Sequence, residues 1–237
     1  MKKKIVKGKS SMYNELVLNN DPKSVISETI RTLRTNLQFT AVDKKIKTIL
    51  ITSSMPGEGK SFIAANLALA FAQNDVKTLL VDCDIRKGRQ HFIFGTHNQK
   101  GLSNLLLDDV KNYKDYIHQT KINNLSVMFR GTTPPNPSEL LGSDKNKDLV
   151  KTLEKEYDII IFDSAPVNGG LTDSIIMSTI VDGAVIVCKH KQTPIEILNA
   201  TKKSLENVNA NILGVVLNQT DGSKKSYYGH YYGHYYG

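Results

Sequence analysis

Lys47-Thr48-Ile49-Leu50-Ile51-Thr52-Ser53 runs directly into Ser54-Met55-Pro56-Gly57-Glu58-Gly59-Lys60-Ser61, and this stretch decides the fold. The first part is a short apolar run with β-branched residues, which reads as a buried strand. Gly57 and Gly59 supply the backbone freedom for a tight loop. From Lys60 to about Gln73 the alanine- and leucine-rich sequence reads as a helix. The same alternation recurs outward. Thr78-Leu79-Leu80-Val81-Asp82 is a second strand and Leu125–Phe129 a weaker third. Tyr157–Asp163, Gly183–Cys188 and Ile212–Leu217 are further apolar strands. Helical patterns fall at 144–155, 171–180 and 194–208. A further helix is expected from Pro22 to about Thr40, with Val25, Ile30, Leu33, Leu37 and Phe39 as its apolar face. Near-continuous apolar strands alternating with helices predict an α/β fold, a mostly parallel sheet with helices on both faces. Ligands of such sheets bind beyond the carboxyl ends of the strands.

The chain has 237 residues, enough for one large α/β domain with a full core. Hydrophobic residues make up 40% and charged residues 23%, as in ordinary globular proteins. A formal charge of +8 suits anionic partners such as a nucleotide, nucleic acid or an acidic membrane surface. The lysines are scattered, however, and only Met1–Lys4 with Lys7 and Lys9 form a basic cluster. Residues 1–22 are therefore expected to be a flexible basic arm, 23–222 the folded domain, and 223–237 a tail. Cys83 and Cys188 sit in apolar runs without ligand spacing, which argues against a disulfide framework or a thiolate metal site. Reduced thiols of a cytoplasmic protein are the simplest expectation. The basic start has no apolar stretch behind it, so no secretory signal is expected. No run approaches the roughly 20 apolar residues of a spanning helix. Membrane association would need a partner.

The residue types at the strand ends carry the chemistry. Ser54–Ser61 matches a Walker A loop except for Ser54 in place of the first glycine. Gly57 and Gly59 let backbone N–H groups turn inward on phosphate oxygens, and the following helix N-terminus adds partial positive charge. Lys60 can reach the β- and γ-phosphates, and the Ser61 hydroxyl can ligate Mg²⁺. Pro56, Gly57, Glu58, Gly59, Lys60, Ser61 and Phe62 are thus the candidate nucleotide-binding residues. Asp82 and Asp84, two apart at the end of the second strand, can point the same way; the bland alternative is a pair of solvated turn acids. Ile159-Ile160-Ile161-Phe162-Asp163 is a Walker B pattern whose carboxylate can orient Mg²⁺. Asn218 after the last strand suits a purine edge or, equally, an Asx turn. From Ser223 the composition changes to a Tyr-Tyr-Gly-His repeat with no aliphatic residue, which cannot build a core and is expected to be disordered.

Together these motifs resemble the bacterial tyrosine kinases of capsule and exopolysaccharide synthesis, in the cytoplasmic form of Gram-positive bacteria. The resemblance runs from about Asp21 to the C-terminus. It includes Asp82-Cys83-Asp84-Ile85-Arg86, Glu28-Thr29-Ile30-Arg31-Thr32-Leu33-Arg34 on the first helix, Gly131–Leu141 and the tyrosine cluster. It implies a P-loop NTPase fold with ATP and Mg²⁺ as cofactors. Lys60, Asp82, Asp84 and Asp163 would be catalytic, and Ser61, Asp82 and Asp163 would organise the metal. One aspartate of the Asp82–Asp84 pair would take the tyrosine proton. Tyr227, Tyr228, Tyr231, Tyr232, Tyr235 and Tyr236 would be phosphorylated in trans. Glu28, Arg31 and Arg34 would join neighbouring subunits of a homo-oligomeric ring; on spacing alone they are an ordinary surface ion-pair set. The implied partners are a transmembrane activator of the polysaccharide co-polymerase type, a cognate tyrosine phosphatase and other protein substrates. The activator would bring this cytoplasmic protein to the inner face of the plasma membrane. Three positions depart from the family pattern: Phe62 follows the Lys-Ser pair, Gly88 stands at a usual proline, and Ser164-Ala165 follows the Walker B aspartate.

The alternative on the same fold is a partition- or septum-type ATPase switch without kinase activity. Those proteins carry an extra lysine where this chain has Met55. A nucleic-acid-binding role for the basic, aromatic tail would leave the P-loop unexplained, so no nucleic-acid partner is expected.

Overall fold

The computed structural model describes residues 15–40, 46–108, 112–168 and 172–220. The basic cluster and the tyrosine repeat lie outside these residues. In chain order the strands are β1 (Thr48–Ser53), β2 (Thr78–Asp82), β3 (His118–Gln119), β4 (Leu125–Met128), β5 (Ile159–Asp163), β6 (Gly183–Lys189) and β7 (Ile212–Asn218). They form one 7-stranded sheet in the order β3-β4-β2-β5-β1-β6-β7. Every pairing is parallel except β3 with β4. The helices are α1 (Val17–Asn20), α2 (Val25–Thr40), α3 (Lys60–Ala72), α4 (Gln90–Ile93), α5 (Leu102–Leu107), α6 (Pro137–Gly142), α7 (Asp144–Glu156), α8 (Asp173–Ser178) and α9 (Ile195–Glu206).

Strands β1, β2, β4, β5 and β6 are buried on both faces, whereas β7 at the edge of the sheet exposes Val215 and Leu217. Side chains alternate across a strand, and here the alternation splits the core in two. Ile49 and Ile51 of β1, Leu80 of β2 and Ile161 of β5 face the layer that holds α3. Leu50, Leu79, Val81, Ile160 and Phe162 face the layer of α5 and α7. Strand β1, between β5 and β6, is therefore buried along its whole length. Alanines along α3 allow it to lie close between the sheet and α2, and it is buried almost all round.

Two expectations change. The arm does not remain irregular through residue 22. Leu16 and Leu18 are 0% and 1% exposed, and α1, which carries Leu18, forms just ahead of α2. Asn66 on α3 fixes this segment: its Oδ1 accepts from Val17 N at 2.9 Å, and its Nδ2 donates to Glu15 O at 2.9 Å. Two leucines in a polar stretch show no period, so only the fold reveals their burial. Leu18→Ala is expected to cost about 2–5 kcal/mol, the range for emptying a closed leucine site. A shift in the urea midpoint checks this; an unchanged midpoint would return the segment to a loose arm.

Helix α2 begins at Val25 rather than Pro22, and Ser24 Oγ accepts from Ser27 N at 3.2 Å and serves as the cap. Ile30 and Leu37 are buried and Leu33 packs beside them, but Val25 and Phe39 are exposed. At about 100° per residue, Val25 and Phe39 point away from the Ile30–Leu33–Leu37 stripe.

Candidate active site

At the carboxyl end of β1 the chain turns through Gly57 (φ 82°) and Gly59 (φ 90°), both in the left-handed region that favours glycine. Gly59 is also fixed by space, since a Cβ there would lie 2.1 Å from Asn218 Nδ2. The loop is braced from within. Glu58 is buried; its Oε2 accepts from Met55 N at 2.8 Å and its Oε1 accepts from the Thr193 hydroxyl. Asn218, at the end of β7, donates from Nδ2 to Glu58 O at 2.9 Å. Pro56 and Gly57 form the exposed crest, and Phe62, in the first turn of α3, packs against the core.

Beside this loop lie three buried carboxylates and one ammonium. Parallel pairing of β2 with β5 sets Asp82 directly next to Asp163. Asp82, Asp84 and Asp163 are 0%, 3% and 0% exposed. Lys60 Nζ donates to Asp84 Oδ2 at 3.1 Å, and Asp84 Oδ1 accepts from Lys87 N at 2.9 Å. Burial pushes the Asp82 carboxyl well above the usual range, and the neighbouring Asp163 charge adds to this. Burial raises Asp163 as well, although Lys60 opposes it. Burial works against the Lys60 ammonium, but Asp163, Asp84 and Asp82 outweigh it and hold its proton more firmly than usual. Three carboxyl groups beside one ammonium leave an excess of acceptor oxygens in a buried site.

That excess fits a divalent cation. Asp82 Oδ1 and Asp163 Oδ1 are buried without a hydrogen-bond partner, and Ser61 is held beside Asp163 through the shared Gln90 amide. Among the described residues no cluster of His, Cys, Asp and Glu forms a metal cage. Mg²⁺ at nucleotide sites needs none, because it takes one or two carboxylates and completes its shell with phosphates and water. Gly88 makes room for this arrangement: a Cβ there would fall 2.2 Å from Asp82 Oδ1.

The family described as an AAA domain matches residues 46–214. The chain is 39% identical over 220 residues to CapB of Staphylococcus aureus, covering 93% of this chain and 96% of that protein. It is 38% identical over 221 residues to the tyrosine-protein kinase YwqD of Bacillus subtilis, covering 93% and 92% respectively. Its fold superimposes on the crystal structure of the chimerical protein CapA2B2 with a TM-score of 0.83 and 43% identity, over 88% of this chain and 91% of that one. The chain belongs to the bacterial tyrosine kinases. The partition-ATPase alternative gives way to this membership. A kinase on this P-loop fold uses ATP with a divalent metal.

Lys60, Ser61, Asp82, Asp84 and Asp163 of the kinase converge as their motifs predict. Glu58 does so only through its backbone, because its side chain is spent on Met55 and Thr193. Asn218 bonds the loop itself rather than presenting a free amide. On α2, Glu28 and Arg31 pair with each other at 2.5 Å. Arg34 turns to its own chain, where Nη1 donates to Ala70 O near the end of α3 at 3.2 Å. The tail tyrosines lie outside the described residues.

The sequence reading missed three groups. Thr193 braces Glu58 from 135 residues away. Arg86 Nε donates to Asp173 Oδ2 at 2.9 Å, and Ser138 Oγ donates to Asp173 Oδ1 at 2.5 Å, tying the aspartate loop to α6 and α8. Gln90 is buried among the carboxylates. Its one sequence hint is a polar residue leading the apolar run His91-Phe92-Ile93-Phe94 soon after the aspartates.

Proposed function

We propose that this kinase transfers the γ-phosphoryl group of Mg-ATP to tyrosines of its own C-terminal cluster on a neighbouring copy. Through that reaction it would regulate capsular or exopolysaccharide synthesis and export. The observation that carries the reading is the buried Lys60–Asp84 pair beside the adjacent Asp82 and Asp163, in a chain that ends in Tyr227, Tyr228, Tyr231, Tyr232, Tyr235 and Tyr236.

Mg²⁺, when bound, supplies positive charge to the β- and γ-phosphates. Ser61, Asp82 and Asp163 are the residues that would hold it. Behind Pro56, which has no N–H, the backbone N–H groups from Gly57 to Phe62 bind phosphate, and the Lys60 ammonium bonds the phosphate oxygens. A phenol of pKa about 10 is protonated at neutral pH. A carboxylate of the Asp82–Asp84 pair therefore takes the phenolic proton as the tyrosine oxygen attacks the γ-phosphorus. The bond from that phosphorus to the bridging oxygen breaks, and ADP leaves.

Asn218, two residues before the last described residue, contacts the phosphate loop, so the described chain ends at the rim of the site. From Asp221 to Gly237 it reaches about 55–60 Å at most, a span compatible with its own site or a neighbour's. Resemblance to the family favours the neighbour, with Glu28, Arg31 and Arg34 in the contact between subunits of a ring. A transmembrane activator would recruit this cytoplasmic protein to the inner face of the plasma membrane. No helix among the described residues is long and apolar enough to cross a membrane itself. A cognate phosphatase and other protein substrates complete the proposed set of partners.

The test mixes a Lys60→Met chain carrying its tail with a tail-deleted chain carrying Lys60, in Mg-ATP and the activator's cytoplasmic segment. Phosphotyrosine is expected on the Lys60→Met tail. None under assembling conditions would refute transfer in trans. ATP hydrolysis without tail phosphate in the intact chain would refute the tail as substrate.

A further inference from the structure

Gln90 opens α4, directly after the aspartate loop, and is fully buried. Its backbone N–H donates to Asp82 Oδ2 at 3.0 Å. Its side-chain Nε2 donates to Asp163 Oδ2 at 2.8 Å and to the Ser61 carbonyl at 3.1 Å. One residue thus touches the phosphate-loop helix and both adjacent carboxylates. A carboxylate and a carbonyl only accept, so the amide nitrogen must occupy that end of the side chain. Gln90 Oε1 is then left buried with no donor. Asp82 Oδ1 and Asp163 Oδ1, the second oxygens of the two carboxylates that Gln90 holds, lack donors too. Buried acceptors are costly unless water or a cation meets them.

We propose that Gln90 is a positioning residue for the divalent cation. Its N–H groups hold one oxygen each of Asp82 and Asp163, which leaves the other oxygen of each free for the cation. Its own Oε1 accepts from water in the cation's shell. Groups of this kind orient metal ligands and tune affinity from outside the ligand set. The inference rests on the reading that the site takes a divalent cation with its nucleotide.

The experiment measures binding of a fluorescent ATP analogue to the full chain in EDTA and across a Mg²⁺ titration. Wild type is compared with Gln90→Leu and Gln90→Glu, and thermal unfolding is followed with and without Mg²⁺. Gln90→Leu removes donors and acceptor together. It is expected to raise the Mg²⁺ needed for half-saturation about tenfold, the low end for such groups, with affinity in EDTA within about twofold of wild type. Gln90→Glu keeps the shape and adds a carboxylate to three others. Its unfolding temperature is expected to fall in EDTA and to recover with Mg²⁺ by more than wild type gains. A wild-type Mg²⁺ requirement in Gln90→Leu overturns the proposal. If that variant does not fold, a Gln90→Glu chain that gains no more from Mg²⁺ than wild type overturns it instead. Wild-type nucleotide binding that ignores Mg²⁺ would overturn the cation reading itself, a separate result.

Discussion

Lys60→Met is expected to lower tyrosine phosphorylation by about 10³-fold or more, the scale on which a positive group at a transferring phosphate acts. Lys60 is the ammonium that faces the three buried carboxylates, with Nζ 3.1 Å from Asp84. Without it, phosphate oxygens would enter a site that is already negative. The same substitution strands Asp84, whose side chain is 4% exposed, without its counter-charge. Breaking a buried pair from one side costs about 3–5 kcal/mol. The variant is therefore expected to unfold at lower urea as well as to lose activity. Lys60→Arg separates the two effects. It restores the charge and part of the stability, but its planar, branched head does not reproduce a compact ammonium at the phosphates. Radiolabel incorporation and urea unfolding on the same preparations check both. Wild-type incorporation by Lys60→Met would mean that the phosphate comes from another enzyme.

Asp163→Asn is expected to act in opposite directions on activity and stability. Loss of a cation-organising carboxylate lowers phosphotyrosine formation by about 10²-fold or more. In EDTA, however, the variant folds more stably. Asp82 and Asp163 both have folded-state values above those of exposed carboxyls, by burial first. A raised carboxyl holds its proton in the folded chain after the unfolded chain has released it. Stability then falls as pH rises from the ordinary carboxylate range through the raised values. Replacing one of the two carboxyls should flatten that slope and leave the chain more stable above the ordinary carboxylate range. Urea midpoints at pH 5 and pH 8, with and without Mg-ADP, measure it. An Asp163→Asn chain that is less stable than wild type at pH 8 in EDTA, with an unchanged pH slope, would refute the account. Mg-ADP should narrow the difference, because in the wild type the cation neutralises the carboxylate charge that the substitution removes.

Local pattern made much of this molecule readable. Each core strand is a continuous apolar run, and Gly57 and Gly59 sit at the spacing of a phosphate loop. The signals for β1, α3 and the Walker B strand lie within consecutive residues, so one chain segment suffices to read them. The tyrosine repeat announces itself by composition alone. Short elements escaped: α4 and α6 are too brief to show a period, and β3 gains its place only by pairing with β4.

The amino-acid sequence by itself determined that a phosphate loop, a paired-aspartate strand end and a Walker B strand exist, because each is a local arrangement of residue types. Only the tertiary structure decided which of their atoms meet. Asp82 stands beside Asp163 because β2 and β5 pair in parallel register, although the crossover between them is long. Glu58 bonds Thr193, and Asn218 fills the space that only a glycine at 59 leaves, because β6 and β7 return to the same end of the sheet. Leu16 and Leu18 are core rather than arm because Asn66 on α3 draws their backbone in. Gln90 joins the site for the same reason: the turn after Asp84 folds back under the carboxylates, and no periodicity records such a return.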